Sequence, residues 1–200
     1  MNKYQQIAKR IVTASRVLDV GCGAGELGCS LNGKQCNVTG WDLKLDRVNA
    51  NREAYQLLEE HDIEKQGFGS KKYDVIVFSD VLEHLNDPEK VLEKSRESLS
   101  SGGRLLVSLP NVAYLDNRIS LLEGNWNYTD EGVLDRTHLK FFTLFTAEQL
   151  LVSAGYRIQE IDPEIPVISS TWKSSIFSML SVAWPGLFAI GWVFHVEPVK

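Results

Sequence analysis

The chain has 200 residues, 44% of them hydrophobic, which is enough for one α/β domain with a substantial core and too few for two. Its formal net charge is -5, with lysine and arginine scattered along the sequence; this argues against a general nucleic-acid-binding protein and favours a small or uncharged partner. The three cysteines, Cys22, Cys29 and Cys36, form no Cys-x-x-Cys pair and have no neighbouring histidine, so we expect reduced thiols, no disulfide framework and no metal site.

Segments rich in β-branched residues alternate with segments of helical length, which is typical of a parallel sheet covered on both faces. Residues 55–63 are ambiguous between a helix end and a strand, and the two glycines at 102–103 are expected to end the helix before them. The predicted strands are 16–20, 37–41, 72–79, 104–109 and 156–161. The predicted helices are 26–31, 45–54, 86–99, 111–123 and 146–154, the last capped by Thr146.

The first predicted strand contains Asp19 and runs into three alternating glycines, Gly21, Gly23 and Gly25. Glycine is required where a backbone turns sharply or approaches a ligand so closely that a Cβ would clash. The helix that follows directs its free N–H groups toward that ligand. The pattern therefore predicts a nucleotide cofactor site at this turn.

Two cofactors fit the glycines. Gly23, Gly25 and Gly28 match the dinucleotide fingerprint, and Asp42 follows at about the ~20-residue distance of a ribose-binding acid. Asp19 favours the other cofactor, because a carboxylate beside a pyrophosphate would bring like charges together. S-adenosylmethionine carries a sulfonium and an ammonium that suit this carboxylate. An NAD(P)-dependent oxidoreductase stays the alternative.

The turn, with Asp19 and its three glycines, resembles the first motif of the class I S-adenosylmethionine-dependent methyltransferases. Residues 79–88 (SDVLEHLNDP) resemble methyltransferases of the ubiquinone-biosynthesis and glycan-cluster type. Residues 134–143 (LDRTHLKFFT) are similar to bacterial methyltransferases encoded among surface-polysaccharide genes. The resemblance covers residues 15–160. It implies an α/β, Rossmann-like, doubly wound and mostly parallel seven-stranded sheet with an antiparallel last strand.

The resemblance also implies which residues hold the cofactor. Asp42, which ends the second predicted strand, would accept hydrogen bonds from the ribose hydroxyls, although it could instead be an ordinary helix cap. Asp62 and Ile63 would lie at the adenine. Asp80 and Val81, after the central strand, would line the methionine part. The full predicted set is Asp19, Gly21, Cys22, Gly23, Gly25, Asp42, Leu43, Asp62, Ile63, Asp80 and Val81.

Two histidines are candidates for the base that takes a proton from an acceptor hydroxyl, because imidazole titrates near neutral pH. His84 would lie beside the transferred methyl group, and His138 lies in the insertion described next. We predict His138 as the base. The alternatives are that His84 caps a strand end and that His138 is a structural residue bonded to Asp135. Glu83 is expected to be structural and bonded to backbone amides.

Residues 111–145 form a long polar and aromatic insertion, which is typical of a substrate lid. The predicted acceptor is a small molecule or a glycan, methylated at oxygen. A non-catalytic module that only binds the cofactor is a further alternative. Core packing is the alternative role for the aromatic residues of the insertion. The predicted acceptor contacts are Asn111, Tyr114, Trp126, Tyr128 and Phe141.

Residues 174–194 carry no charge and reach the ~20 residues of a membrane-spanning helix. Because a proline and a glycine at 185–186 divide the stretch, we expect an antiparallel last strand at 188–197, beside the sixth strand. Residues 171–184 would be an apolar helix or loop, with peripheral membrane contact as the alternative.

The polar N-terminus lacks a secretory signal, so a cytoplasmic protein is expected. We predict a single domain, 1–200, with a cofactor half (15–110), a lid insertion (111–145) and an apolar C-terminal segment (171–196); the oligomeric state stays open.

Overall fold

A computed structural model describes residues 2–166 and 178–199. Within these residues the strands form one seven-stranded sheet in the order β3-β2-β1-β4-β5-β7-β6. The pairs from β3 through β5 are parallel, and β7 runs antiparallel to both of its neighbours. The predicted Rossmann-like α/β fold is confirmed. The strands are β1 (Arg16–Val20), β2 (Asn37–Asp42), β3 (Leu57–Glu60), β4 (Tyr73–Ser79), β5 (Leu99–Pro110), β6 (Tyr156–Glu164) and β7 (Gly191–Pro198).

Helices cover the two faces of the sheet, and each face has its own cluster of buried apolar side chains. The central strand β4 is almost entirely buried, as its continuous apolar run predicted. Residues 178–183 are also helical. The other α-helices are α1 (Lys3–Arg10), α2 (Glu26–Ser30), α3 (Ile63–Gln66), α4 (Pro88–Ser95), α5 (Leu115–Leu122), α6 (Leu144–Ser153) and α7 (Pro185–Phe188), and 3₁₀ turns occupy Asn49–Ala54, Leu82–His84 and Arg96–Ser98.

The segment 45–63 differs from its prediction. The expected helix over 45–54 is only a 3₁₀ turn at Asn49–Ala54, because Val48 is the single fully buried side chain in that stretch and no apolar face supports a longer helix. The ambiguous residues 55–63 contain β3 and the first residue of α3. They thus supply the outermost strand of the parallel half of the sheet.

The prediction that glycines 102–103 end a helix is wrong. Helix α4 ends at Ser95, and β5 already begins at Leu99. The pairing of β4 with β5 shifts register between Tyr73 and Val75, which marks an irregularity in the ladder. An added Cβ on Gly103 would lie 3.0 Å from the backbone oxygens of Ser100 and Tyr73. Gly103 therefore allows close approach within an irregular strand, whereas Gly102 has open space at its Cβ position and a φ of +77° that favours glycine.

Smaller differences concern the ends of the last elements. Helix α6 is capped by Thr143, whose hydroxyl accepts the N–H of Thr146 at 3.2 Å, so Thr146 is not the cap. Strand β7 begins at Gly191, because the residues just before it form α7 and a turn. Its antiparallel position between β5 and β6 agrees with the prediction. The described part of the chain contains no helix of the length and apolarity needed to cross a bilayer, and residues 171–177 of the predicted apolar segment lie outside the described residues.

Candidate functional site

The carboxyl ends of β1, β2 and β4 border a cavity of about 780 Å³, within the range of small-molecule sites. This edge is where open α/β sheets bind their ligands. The cavity therefore coincides with the predicted cofactor site. The predicted residues that line it are Gly21, Gly23, Asp42, Leu43, Asp62, Ile63, Asp80, Val81 and His84.

The three alternating glycines have different local roles. All three have positive φ, which favours glycine. A Cβ on Gly21 would lie 2.5 Å from Cγ2 of Val81, so this glycine lets the β1 turn pass close to the segment after β4. Gly23 lines the cavity. Gly25 precedes α2, and its Cβ would lie 2.9 Å from Cβ of Asn51; it is not among the residues that line the cavity.

Asp42 ends β2 at the cavity wall. One carboxylate oxygen accepts the N–H of Gly23 at 2.8 Å, and the other accepts the N–H of Lys44 at 3.3 Å. The side chain therefore ties the glycine turn to the end of β2. Asp42 also lines the cavity, as a residue that binds the ribose hydroxyls of a cofactor must.

Asp19 does not lie where the sequence analysis expected it. Its side chain is 2% exposed and is absent from the cavity wall. Its carboxyl accepts a hydrogen bond of 2.7 Å from the hydroxyl of Tyr55, which in turn accepts the N–H of Gly28 at 3.2 Å. Burial raises the pKa of Asp19 to about 7, against the effect of the bond from Tyr55. Asp19 is thus linked through Tyr55 to Gly28 of α2 and does not line the cavity.

Cys22 is also turned away from the cavity. It is 5% exposed and packs with the apolar residues of one face of the sheet. Burial raises the pKa of its thiol to about 12. Cys22 lies in the turn after β1, which ends at Val20, and the motif alone does not reveal which side chains of this turn meet the ligand.

Another part of the cavity wall is formed by Asp62 and the first residues of α3. Asp62 caps this helix and accepts bonds from the backbone N–H of Lys65 at 3.3 Å and from its Nζ at 2.7 Å; the bond from the Lys65 side chain lowers the pKa of Asp62. Ile63 is nearly buried, whereas Leu43 is 68% exposed, and both border the cavity. Two apolar side chains on this wall suit a flat ring such as adenine.

A smaller cavity of about 250 Å³ lies beside the first, and Asp80 and His84 line both. Asp80 has a φ of +54°, a region that Asp tolerates better than most residues. The hydroxyl of Ser108 donates to its carboxylate and accepts its N–H at 3.0 Å. Lys3 forms an ion pair with the other carboxylate oxygen. Asp80 is thus held firmly where the two cavities adjoin.

The two candidate bases are neighbours, with ring centroids 4.8 Å apart. His84 Nδ1 lies 3.3 Å from the carbonyl oxygen of Thr137 and 3.2 Å from its hydroxyl. His138 Nδ1 lies 3.2 Å from the carbonyl oxygen of Val133, and its Nε2 lies 4.0 Å from Oε1 of Glu83. Burial and the proximity of His84 lower the pKa of His138.

Glu83 is fully buried, and neither of its carboxyl oxygens has a hydrogen-bond partner among the described residues. Burial raises its pKa well above the usual range. Its backbone oxygen, not its carboxyl, accepts the N–H groups of Leu139 and Lys140, at 2.8 and 3.0 Å. Glu83, His84 and His138 offer three polar atoms within 4.8 Å of one another, a cluster that the sequence analysis did not foresee.

The predicted acceptor contacts divide into two groups. Asn111 is fully buried; its amide donates to the carbonyl oxygens of Ala189 and Gly186 at 2.8 and 3.3 Å, and its oxygen accepts the N–H of Ala113 at 2.9 Å. The structure therefore gives Asn111 a structural role in place of a substrate contact. Tyr114 precedes α5 and does not line either cavity.

The aromatic residues of the insertion form a partly exposed cluster. The ring of Phe141 lies 5.6 Å from Trp126, 6.3 Å from Tyr128 and 6.0 Å from His138, measured between centroids. Trp126 and Tyr128 are 39% and 52% exposed. The cluster thus reaches His138 but lines neither of the two cavities.

Two site residues that sequence reasoning missed come from α1. Tyr4 lines the large cavity, and Lys3 lines the small one beside Asp80. The capping box of Asn2 and Gln5 indicates that a helix begins here, but no local pattern in the sequence places that helix beside the cavities. Glu164, at the end of β6, also lines the small cavity.

A family model described as a methyltransferase domain matches residues 1–161. The chain belongs to this family. Ubiquinone biosynthesis O-methyltransferases from Coxiella burnetii and Psychrobacter arcticus are 30% and 24% identical over 154 and 169 residues, 72% and 79% of this chain. These matches cover 64% and 65% of those proteins, so the chain spans less than two thirds of their length.

Solved methyltransferase structures share the fold. An S-adenosylmethionine-dependent methyltransferase from Methanosarcina mazei aligns with a TM-score of 0.69 at 16% identity, covering 100% of this chain and 99% of that one. Another, from Mesorhizobium loti, aligns with a TM-score of 0.67 at 17% identity, covering 96% and 94%. These structures show the shared fold, the family model confirms the predicted methyltransferase family, and S-adenosylmethionine is the cofactor that this family implies.

Proposed function

We propose that this methyltransferase transfers the methyl group of S-adenosylmethionine to a hydroxyl of a small acceptor. The observation that carries the proposal is the position of His84, a proton acceptor on the wall of both cavities. A ligand that fills the large cavity can reach an acceptor in the small one at this point. The relatives named as O-methyltransferases support oxygen as the methylated atom.

The cavity wall fits the proposed cofactor. At Gly21 the backbone leaves no room for a Cβ, as expected where a chain must turn tightly beside a ligand. Asp42 would bind the ribose hydroxyls, and Leu43 and Ile63 would contact the adenine ring. Asp80 and Val81 would line the methionine portion. When bound, S-adenosylmethionine supplies an activated methyl group, so the protein's main task is to position the acceptor in line with it.

We assign the role of base to His84 ahead of His138, which reverses the order expected from the sequence. His84 borders the large cavity and His138 does not. The Nε2 atom of His138 is directed toward the buried carboxyl of Glu83 at 4.0 Å, and its side chain is 5% exposed. Proton transfer needs a nitrogen within hydrogen-bonding reach of the acceptor, a condition that favours His84.

A glycan-type acceptor is a narrower proposal. It rests on the resemblance of residues 134–143 to methyltransferases encoded among polysaccharide genes. A panel of catechols, sugar nucleotides and free sugars, with S-adenosylhomocysteine formation as the readout, would distinguish phenolic from sugar hydroxyls. Turnover with thiols or amines alone would contradict transfer to oxygen.

Cofactor binding can be tested by calorimetry. We expect S-adenosylhomocysteine to bind and NAD to give no heat. Asp42→Ala should weaken binding by about 1.5 to 3 kcal/mol, the range for hydrogen bonds to a charged group. The matched control is Asp46→Ala, which removes the same charge nearby but lies outside the cavity wall. Equal affinities of the two variants would contradict the ribose role of Asp42.

The base assignment can be tested with an acceptor from the panel. We expect His84→Asn to lower kcat by about 10² to 10⁴, the usual effect of losing a general base, with unchanged affinity for S-adenosylhomocysteine. His138→Asn should lower it less. The reverse order would return the role to His138. If neither change slows turnover tenfold, the acceptor needs only positioning, and general-base O-methylation is wrong.

A further inference from the structure

We propose that Thr137 and Asp135 orient His84 as the base, by fixing its proton on Nδ1 and leaving Nε2 free for the acceptor. The inference rests on the proposed function and adds two positioning residues to it. Both lie in the insertion, 51 and 53 positions along the chain from His84. Their sequence neighbour His138 had been the predicted base.

The hydrogen bonds determine the direction of this chain of contacts. The hydroxyl of Thr137 donates to Oδ1 of Asp135 at 2.7 Å, so its proton is committed to the carboxylate. The hydroxyl oxygen can then only accept from His84 Nδ1, 3.2 Å away. The carbonyl oxygen of Thr137, at 3.3 Å from the same nitrogen, can likewise only accept.

Two acceptors that converge on one ring nitrogen select the tautomer of a neutral histidine. The proton of His84 therefore lies on Nδ1, and Nε2 holds the lone pair. No hydrogen bond to Nε2 of His84 is found among the described residues. That nitrogen belongs to the side chain that borders both cavities, so the basic atom is available where the acceptor is proposed to bind.

The insertion is anchored to the backbone that carries His84. The oxygen of Asp135 that holds the Thr137 hydroxyl also accepts the N–H of Thr137 at 2.7 Å. The backbone oxygen of Glu83 accepts the N–H groups of Leu139 and Lys140. These two bonds join the residue before His84 to residues two and three positions after Thr137, so the ring and its partners are held together.

Asp135 also compensates the charge that His84 gains in the reaction. As the acceptor oxygen bonds to the methyl carbon and the sulfur–methyl bond breaks, the hydroxyl proton passes to Nε2 of His84. The sulfur becomes neutral, and the imidazole becomes cationic. Burial acts to raise the pKa of Asp135, but its hydrogen bonds from Thr137 and the nearby histidines lower it overall. The carboxylate is thus ionised and stabilises the imidazolium through Thr137.

Histidine NMR on the full chain tests the orientation without an acceptor. The chain has four histidines, so ¹⁵N signals of the S-adenosylhomocysteine-saturated protein can be assigned with single His→Asn variants. We expect the neutral His84 ring to carry its proton on Nδ1. Thr137→Val should shift the population toward Nε2–H, and Thr137→Ser should preserve the wild-type state.

The matched control is Thr129→Val, which removes a lid hydroxyl that donates to the carbonyl oxygen of Glu131 at 2.7 Å. It should leave the His84 signals unchanged. An Nε2–H tautomer in the wild type, or no change in Thr137→Val, would overturn the proposal. The NMR measurement needs no turnover. The proposed orientation of His84 can therefore be refuted while S-adenosylhomocysteine still binds and methyl transfer is still observed, so its failure is distinguishable from failure of the proposed function.

Kinetics with an acceptor from the panel provide the second readout. Losing one hydrogen bond to the base should lower kcat about five- to tenfold in Thr137→Val, with unchanged KM for the cofactor and recovery in Thr137→Ser. Asp135→Asn preserves the acceptor oxygen but removes the charge, so kcat should fall with the tautomer retained. Turnover that is abolished by a chelator and restored by a divalent cation would assign His84 to a metal in the cluster with Glu83 and His138, and would overturn its role as the base.

Discussion

The contact between Gly21 and Val81 allows a quantitative test of the glycine turn. In Gly21→Ala the new methyl group would lie 2.5 Å from Cγ2 of Val81, in a residue with a φ of +70°. A non-glycine residue in the left-handed region costs about 1 to 2 kcal/mol. Pushing Val81 out of its rotamer costs about 0.5 to 1.5 kcal/mol more. We therefore expect a loss of about 2 to 3 kcal/mol in the free energy of unfolding.

Gly33→Ala isolates the two contributions. Gly33 also has a positive φ, of +86°, but its Cβ would have no heavy atom within 4 Å. This control should lose only the backbone term of about 1 to 2 kcal/mol. For a chain of this size, 1 kcal/mol corresponds to about 2 to 4 °C in Tm, so Gly21→Ala should melt about 5 to 10 °C below the wild type and clearly below Gly33→Ala.

The double variant Gly21→Ala with Val81→Ala completes the test. Removing Cγ2 relieves the overlap, so the two changes should couple by about 1 kcal/mol in the favourable direction. Urea denaturation of the four proteins in this cycle measures the coupling, and calorimetry with S-adenosylhomocysteine follows the cavity wall that both residues form. Strict additivity, or equal losses in Gly21→Ala and Gly33→Ala, would refute the argument that close approach requires this glycine.

Two further predictions concern buried polar groups. Asp19 has a raised pKa of about 7 in the folded chain, so the folded state retains a proton that the unfolded state loses as pH rises from about 4. The free energy of unfolding should therefore fall between pH 4 and pH 7 by at most about 4 kcal/mol. In urea denaturation Asp19→Asn should show a flatter pH dependence and higher stability at pH 8 than the wild type, and parallel curves would contradict this. Asn111→Ala leaves the carbonyl oxygens of Ala189 and Gly186 without their donor. It should lower the free energy of unfolding by about 2 kcal/mol without changing turnover per folded molecule. A change in the KM for the acceptor with unchanged stability would instead show that Asn111 contacts the substrate.

Local features of this protein could be read from its sequence. The alternating glycines after β1 predict a turn with positive φ values, because positive φ depends on the residue itself and its immediate neighbours. Alternating strand and helix segments determine the fold class, since each must bury an apolar face. Asp42, Asp80 and Val81 were found at the cavity because the carboxyl ends of parallel strands meet at one edge.

Tertiary packing decided what the local pattern leaves open. Asp19 and its glycines form one motif, yet the carboxyl is buried and bonded to Tyr55, a residue 36 positions away along the chain. The sequence predicts that Glu83 bonds backbone amides, but its carboxyl is buried and has no hydrogen-bond partner among the described residues. The rank of the two histidines depends on which of them borders the large cavity, and Thr137 contacts His84 only because the insertion packs against the turn after β4. Contacts between distant segments are set by the sum of packing and hydrogen bonding in the whole chain, and no short stretch of sequence records them.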